Sequence, residues 1–425
     1  MPWPKVAVAL IGILFGINVH PAAPENKPHP NLRDLLDEAG IPGWLLSLEA
    51  AIEIEAREVE TPAAKINDIR LPVRIYNQQV VIDGARLRTF EGDISFDLLI
   101  DAPGNSFDAS VRAGKITFDN AQSPPEKTNT STNQYVFGEK EFLPFWLPAA
   151  AGQVTFDLSN VRFNGSTFQQ LDGHLSFSET AMRGTLKSQL GNGRLAVDLT
   201  HDYPSEHTLI KADGNALPLH LMPATHEYLL DTTLNFELAI QGHGRAARDL
   251  AESLNGQVII EAMHGDINVE NLEKLSQDIL SLTLTSVVPV PIGRKTTKLE
   301  CGVLKFTIHD GVANSENAIA VRTDNLAVMG GGKIDFANEK LDIRLHPHAR
   351  RKNTINTKSA VKEVKLSGSL RDVEVSPQLG GIINQGISLT TKIAALGLSK
   401  LRLPLLDWAA PADVACMSSL DTQVP

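Results

Sequence analysis

From about Leu46 onward the apolar side chains of this chain recur at every second position, and that period constrains the fold more tightly than any other feature of the sequence. Ile52 and Ile54 alternate with Glu53 and Glu55. Ile69, Leu71, Val73 and Ile75 alternate with Arg70, Pro72 and Arg74, and Ile94, Phe96 and Leu98 alternate with Ser95 and Asp97. Successive side chains of a strand point to opposite sides, so these segments predict strands with one apolar and one wet face, the pattern of antiparallel sheet. The chain is therefore expected to be mainly β.

The alternation comes in blocks. Residues 24–45 read as a linker and a short helix, NLRDLLDEAG, with Leu32, Leu35 and Leu36 on one side and Gly40 as its stop. A first β-block at 46–120, with turns at the GARL and similar strings, precedes a polar, proline-bearing loop or hinge at 121–148. A second β-block at 149–230 repeats the first weakly at an offset of about one hundred residues, through VTFDL, QLDGHLSFS, MRGTL and NGRLAVDLTHD. In the third block, 231–376, Leu250 and Leu254 predict a helical turn ended by Asn255 and Gly256. Leu272, Leu275, Ile279 and Leu282 predict a helix that closes one side of the sheet. Leu304, Phe306 and Ile308, then Ile334 and Phe336, then Leu341, Ile343 and Leu345 resume the period of two. The tail at 377–425 reads as partly helical, either capping the sheet or lying on a membrane surface.

The first 23 residues hold an apolar run from Val6 to Val19 after a single lysine. As a helix those positions span about 21 Å against a hydrocarbon core of ~30 Å. A membrane anchor and a signal peptide cut near Pro21-Ala22-Ala23 both fit, and either one exports the remainder. A mean hydropathy of -0.08 excludes a polytopic membrane protein. A formal charge of -11 argues against nucleic acid, whose phosphates need a clustered basic surface.

Motifs that would carry catalysis fail on spacing. Gly330, Gly331, Gly332 and Lys333 are not a phosphate loop, because Ala327 stands where its first glycine belongs and Ile334 follows the lysine; they read as strand, turn and strand. Gly242 and Gly244 lack the third glycine of a dinucleotide fingerprint, Ala247 taking its place. The histidine pairs His201 with His207 and His346 with His348 have no cysteine beside them, and neither an H-E-x-x-H nor a G-x-S-x-G string occurs. The sequence thus predicts no catalytic residue, no metal site and no cofactor. What remains is the apolar face itself, which is either buried under a second layer or used for binding, since apolar patches beyond roughly a few hundred Å² are seldom left bare.

The string GHGRAARDLAESLNGQVIIEAMHGDI, followed by LECGVLKF and VMGGGKIDFANEKLDIRLHP, gives the stretch Leu234–Pro347 a further meaning. A polar-glycine strand end, a short helix, the LNG turn, two strands around an HGD turn, a helix and a GGGxIDF hairpin together resemble the C-terminal domain of the AsmA family. That resemblance implies an envelope protein of Gram-negative bacteria, held in the inner membrane by an N-terminal anchor with its bulk in the periplasm; cleavage of that segment would instead leave it soluble there. It implies an elongated, bent sheet forming a groove, no enzymatic activity, and phospholipid or another acylated lipid as ligand in support of outer-membrane assembly. The implied partners are the inner membrane and outer-membrane assembly proteins, the alternative role being a periplasmic scaffold without lipid cargo. The groove residues it points to are Ile94, Phe96, Leu98, Phe156, Leu158, Leu195, Val197, Phe306, Ile334, Phe336 and Ile343. It also suggests a staple between the two cysteines, Cys301 and Cys416, which an exported chain permits; two separate buried thiols are the alternative.

Overall fold

In the computed structural model the period of two becomes twenty strands among the described residues. The structure describes residues 43–60, 65–89, 92–118, 136–139, 150–163, 166–221, 229–268, 296–324, 326–349 and 361–379. These fall into two compact units, the first of 43–118, 150–191 and 195–209, the second of 136–139, 192–194 and 210–379. The N-terminal apolar run, the NLRDLLDEAG helix, the Leu272–Leu282 helix and the C-terminal tail lie outside the described residues.

Unit one opens with β1 (Ala50–Glu60), β2 (Lys65–Tyr76), β3 (Gln79–Thr89), β4 (Gly92–Asp101) and β5 (Ser106–Ala113), each antiparallel to the next. The antiparallel order is interrupted here. Both β5 and β6 (Ile116–Phe118) run parallel to β7 (Ala151–Phe163). A parallel pair cannot be joined by a tight turn and needs a crossover of about a dozen residues or more. The polar, proline-bearing stretch in the sequence supplies that length. Antiparallel order then resumes through β8 (Ser166–Phe177), β9 (Ala181–Leu190) and β10 (Gly193–Asp202).

Unit two contains β11 (His207–Pro218), from residue 210 onward, and β12 (Leu229–Leu230). β13 (Thr233–His243) leads into the helix α1 (Ala247–Ser253) and β14 (Asn255–Asn268). Asp249 fixes the start of α1 by accepting from the backbone N–H of Ala246 at 3.0 Å. After it come β15 (Thr296–His309), β16 (Val312–Thr323), β17 (Leu326–Asp335), β18 (Lys340–Ala349), β19 (Val361–Ser369) and β20 (Val373–Leu379). From β13 to β20 each strand is antiparallel to the next.

Three glycine-marked turns expected from the sequence are not turns. Gly84, at φ +70, sits in a bulge within β3 where the register to β4 shifts between Ile82 and Ala85. The HGD string lies inside β14, with His264 at φ +28 as a local distortion. Gly330, Gly331 and Gly332 lie in the interior of β17, and the chain turns only after Asp335. They are glycines because backbone crowds them: a Cβ at Gly331 would stand 2.2 Å from the Ser315 carbonyl oxygen, and one at Gly330 2.1 Å from that of Arg344.

Candidate functional site

The sheet surface of unit one has two different faces. Its wet face is laced with cross-strand ion pairs: Arg70 with Glu53 at 2.5 Å, Arg88 with Asp68 at 3.0 Å and with Asp93 at 2.9 Å, and Arg112 with Asp97 at 2.5 Å. Asp97 also accepts from the Gly84 backbone N–H at 2.7 Å, and this bond, followed by Arg112 and Ser110, holds its carboxyl below the usual carboxylate range. Such exposed pairs add little stability individually, but they mark this side as the one that faces water.

The apolar face is covered unevenly. Over β2–β5 it is shut: Leu71, Ile82, Ile94, Leu98 and Ile100 are buried in one cluster, and Phe96 is 0% exposed. Ile94, Phe96 and Leu98 are therefore packed core in this structure, with no surface for a ligand. Over β7, β8 and β10 the same phase is only half-buried, and this is where Phe156, Leu158, Leu195 and Val197 stand. Val154, Phe156 and Leu158 lie in register with Leu175, Gly173 and Leu171 of β8.

Unit two repeats the contrast. Over β18–β20 the face is shut by Leu341, Leu345, Val364, Leu366, Val373 and Val375, with Ile334 and Ile343 half-buried at the margin of that cluster. Over β13–β15 most of the same face is half-buried, with Ile308 closed at 4% and with Leu304 and Phe306 packed against the margin of the β18–β20 cluster. Phe236 and Leu238 pair with Ile260 and Val258, which pair in turn with Leu304 and Phe306. Phe236, Leu238, Val258 and Ile260 are absent from the groove residues suggested by the resemblance. Their signal is visible in the sequence as the alternating run Leu234, Phe236, Leu238 and Ile240.

Phe336 does not belong to this face. It lies past the end of β17 in the turn to β18, its ring 6.1 Å from that of Phe137 and tilted at 78°, an edge-to-face contact. The turn's Glu339 is 5% exposed, and its carboxylate accepts from the backbone N–H groups of Val136 and Phe137, each at 2.7 Å. Gly138 accepts from the Arg248 backbone N–H at 3.2 Å. Residues 136–139 are thereby strapped across the turn and α1 within unit two.

A recurrent device shapes the half-covered stretches. The Phe107 ring fills the place where a side chain on Gly152 would stand, Phe156 does so over Gly173, and Phe236 over Gly214; a Cβ would meet the rings at 2.5, 1.9 and 2.4 Å. Each ring therefore lies along the sheet surface instead of rising from it, and it shields a glycine that has no side chain of its own to pack. A face paved in this way is smooth and apolar, with few polar atoms to orient a ligand.

Among the described residues no group of three histidine, cysteine or acidic side chains converges to hold a metal, and no helix is long and apolar enough to cross a membrane. An open hollow in unit two is lined by Lys333, Asp335, Lys340, Leu341, Asp342, Gly368 and Ser369. Cys301 on β15 is disulfide-bonded; Cys416 lies outside the described residues. No family model matches the chain, no curated protein matches it, and no solved structure matches its fold.

Proposed function

We propose that this protein is a non-enzymatic, AsmA-like envelope protein that binds phospholipid or another acylated lipid along a half-covered apolar sheet face, in support of outer-membrane assembly. It would be held at the inner membrane by its N-terminal apolar segment, with the bulk in the periplasm and the sheet bent into a groove. The observation that carries the reading is the paved apolar surface over β7, β8 and β10 and over β13–β15, where inward-phase side chains stay half-buried while those of neighbouring strands are shut. Such a surface matches an acyl chain because transfer is governed by apolar area. Moving about fifteen methylenes into water costs on the order of 12 kcal/mol at ~0.8 kcal/mol each, and a continuous apolar lining removes most of that barrier without any reacting group.

The test is extraction of the purified exported portion with organic solvent and mass spectrometry of the lipid, against a control protein handled identically. Stoichiometric phospholipid supports the reading, and Phe156→Asp or Phe306→Asp then lowers retention in folded protein. Lipid at the control level in well-folded protein removes it. Phe96→Asp is no test, because a charge at a site without exposure breaks the core whatever the function. The shut face over β2–β5 favours a second reading, a scaffold for outer-membrane assembly acting through protein contacts with no lipid cargo.

A further inference from the structure

The half-covered face of unit one ends at a cluster of buried polar side chains. On β10, Leu195, Val197 and Leu199 follow one another at the inward phase, each half-buried. The next position of that phase is His201, which is 4% exposed and whose Nδ1 shares a 2.8 Å hydrogen bond with the hydroxyl of Thr208, also 4% exposed. Tyr203 continues the line just past the strand. Its backbone N–H donates to the Thr180 carbonyl at 2.8 Å, which holds it against the start of β9, and its ring lies 5.5 Å from that of His201. The Tyr203 hydroxyl is buried and has no hydrogen-bond partner among the described residues. Buried tyrosine hydroxyls ordinarily find one, because a donor that has left water unpaired keeps the full cost of desolvation. Burial also pushes this phenol up to about 12, so at neutral pH it remains a neutral donor.

We infer that Tyr203 is the polar anchor of this face, its hydroxyl donating to the carbonyl oxygen that joins an acyl chain to its head group. The inference rests on the lipid reading above and names a contact within it. A smooth apolar surface holds an acyl chain equally well at any point along the strand, so the ligand's position has to be set by a polar group at one end. Charge selects the kind of acceptor. From Thr200 to Thr208 the sequence holds Asp202 and Glu206 and neither arginine nor lysine. A phosphate is ordinarily met by those cations, and here it would face two carboxylates instead. A carbonyl carries no net charge to be repelled and needs one O–H donor, which is what the phenol offers. The Tyr203 residue is half-buried, so its ring can turn the hydroxyl toward a chain lying over Val197 and Leu199.

The test compares the full chain with Tyr203→Phe, which removes the hydroxyl and keeps the ring. The probes are a diacyl phosphatidylglycerol and its diether analogue, which has the same head group and no carbonyl. Wild type should hold the diacyl lipid roughly five-fold more tightly than the diether, the weight of one neutral hydrogen bond. Tyr203→Phe should lower diacyl binding to the diether level, leave diether binding unchanged, and melt no earlier than wild type without lipid, since no bond is lost there. Diacyl binding that ignores Tyr203→Phe overturns the inference and leaves the lipid reading standing. An equal loss for both lipids overturns it too, because the contact is then to the head group. So does an earlier melt of the lipid-free variant, which would mean that the hydroxyl is already bonded. Folded wild-type protein that binds neither lipid removes the lipid reading and this inference together.

Discussion

Glu339→Gln isolates the latch that holds residues 136–139 to unit two. The wild-type carboxylate gives one oxygen to the Val136 N–H and the other to the Phe137 N–H, both at 2.7 Å, in a pocket where the side chain is 5% exposed. Glutamine keeps one acceptor and turns an N–H₂ donor toward the second N–H, so one bond is lost and the survivor loses its charge. Hydrogen bonds to a charged group contribute about 1.5–3 kcal/mol each. A net loss of about 3 kcal/mol follows, roughly a hundred-fold rise in the opening constant of the strap. The released amides reach water once the strap lifts, so the loss appears as local opening with little change in global melting. Glu339 also sits at φ +51, a left-handed conformation that costs a non-glycine residue roughly 1–2 kcal/mol. Glu339→Gly, which removes both acceptors, should therefore free the strap more fully while leaving the β17–β18 hairpin as stable as before or more so. Amide exchange resolved to Val136, Phe137 and the hairpin measures both effects. Unchanged protection of Val136 and Phe137 in folded Glu339→Gln protein would refute the latch.

Gly173→Ala places a Cβ 1.9 Å from the Phe156 ring and should cost about 1–3 kcal/mol by denaturant melting, whereas Gly114→Ala, with nothing within 4 Å, should change stability little. Asp97 has a lowered folded pKa, so its contribution is fully present above the unfolded carboxyl value and fades as pH falls through the folded one. Asp97→Asn should therefore flatten the stability profile on the acid side of about pH 4 and leave its slope at neutral pH unchanged. Burial pushes the Tyr203 phenol up to about 12, so in an alkaline absorbance titration one of the four tyrosines should ionise last while the chain stays folded; phenols that all titrate together would contradict that burial.

The strands were legible because alternation is a local property: β2, β4, β7, β10 and β15 lie where their apolar phase predicts. Alpha1 was legible too, since Leu250 and Leu254 mark it and Asn255-Gly256 ends it. The glycine-marked turns were misplaced for a physical reason. A glycine in a strand pattern signals either a reversal of the chain or the close approach of a neighbouring backbone, and only the neighbour decides which. Ser315 and Arg344 supply the approach at Gly330 and Gly331, and neither is near them in sequence. The parallel step from β5 to β7 was hidden likewise, because an alternating strand carries no mark of its partner's direction.

Coverage of the apolar face is the property most distant from the sequence and the one on which function turns. Phe96 and Phe156 have the same residue type, the same strand phase and nearly the same flanks, SFD and TFD, yet one has no exposed surface and the other lies half-open over Gly173. Phase fixes which side of the sheet a ring takes; the amount of chain above that side fixes whether the ring is core or surface. The cover is set by elements tens of residues away, as where the strap at 136–139 packs Phe137 against the ring of Phe336 and is held by Glu339. An apolar surface of this kind is thus specified less by the residues that line it than by what the rest of the chain withholds from them. Its sharpest perturbations are accordingly those that add cover, and a bulky side chain at Gly173 or Gly214, which lifts a paving ring off the sheet, should reduce lipid retention more than truncating any one lining residue.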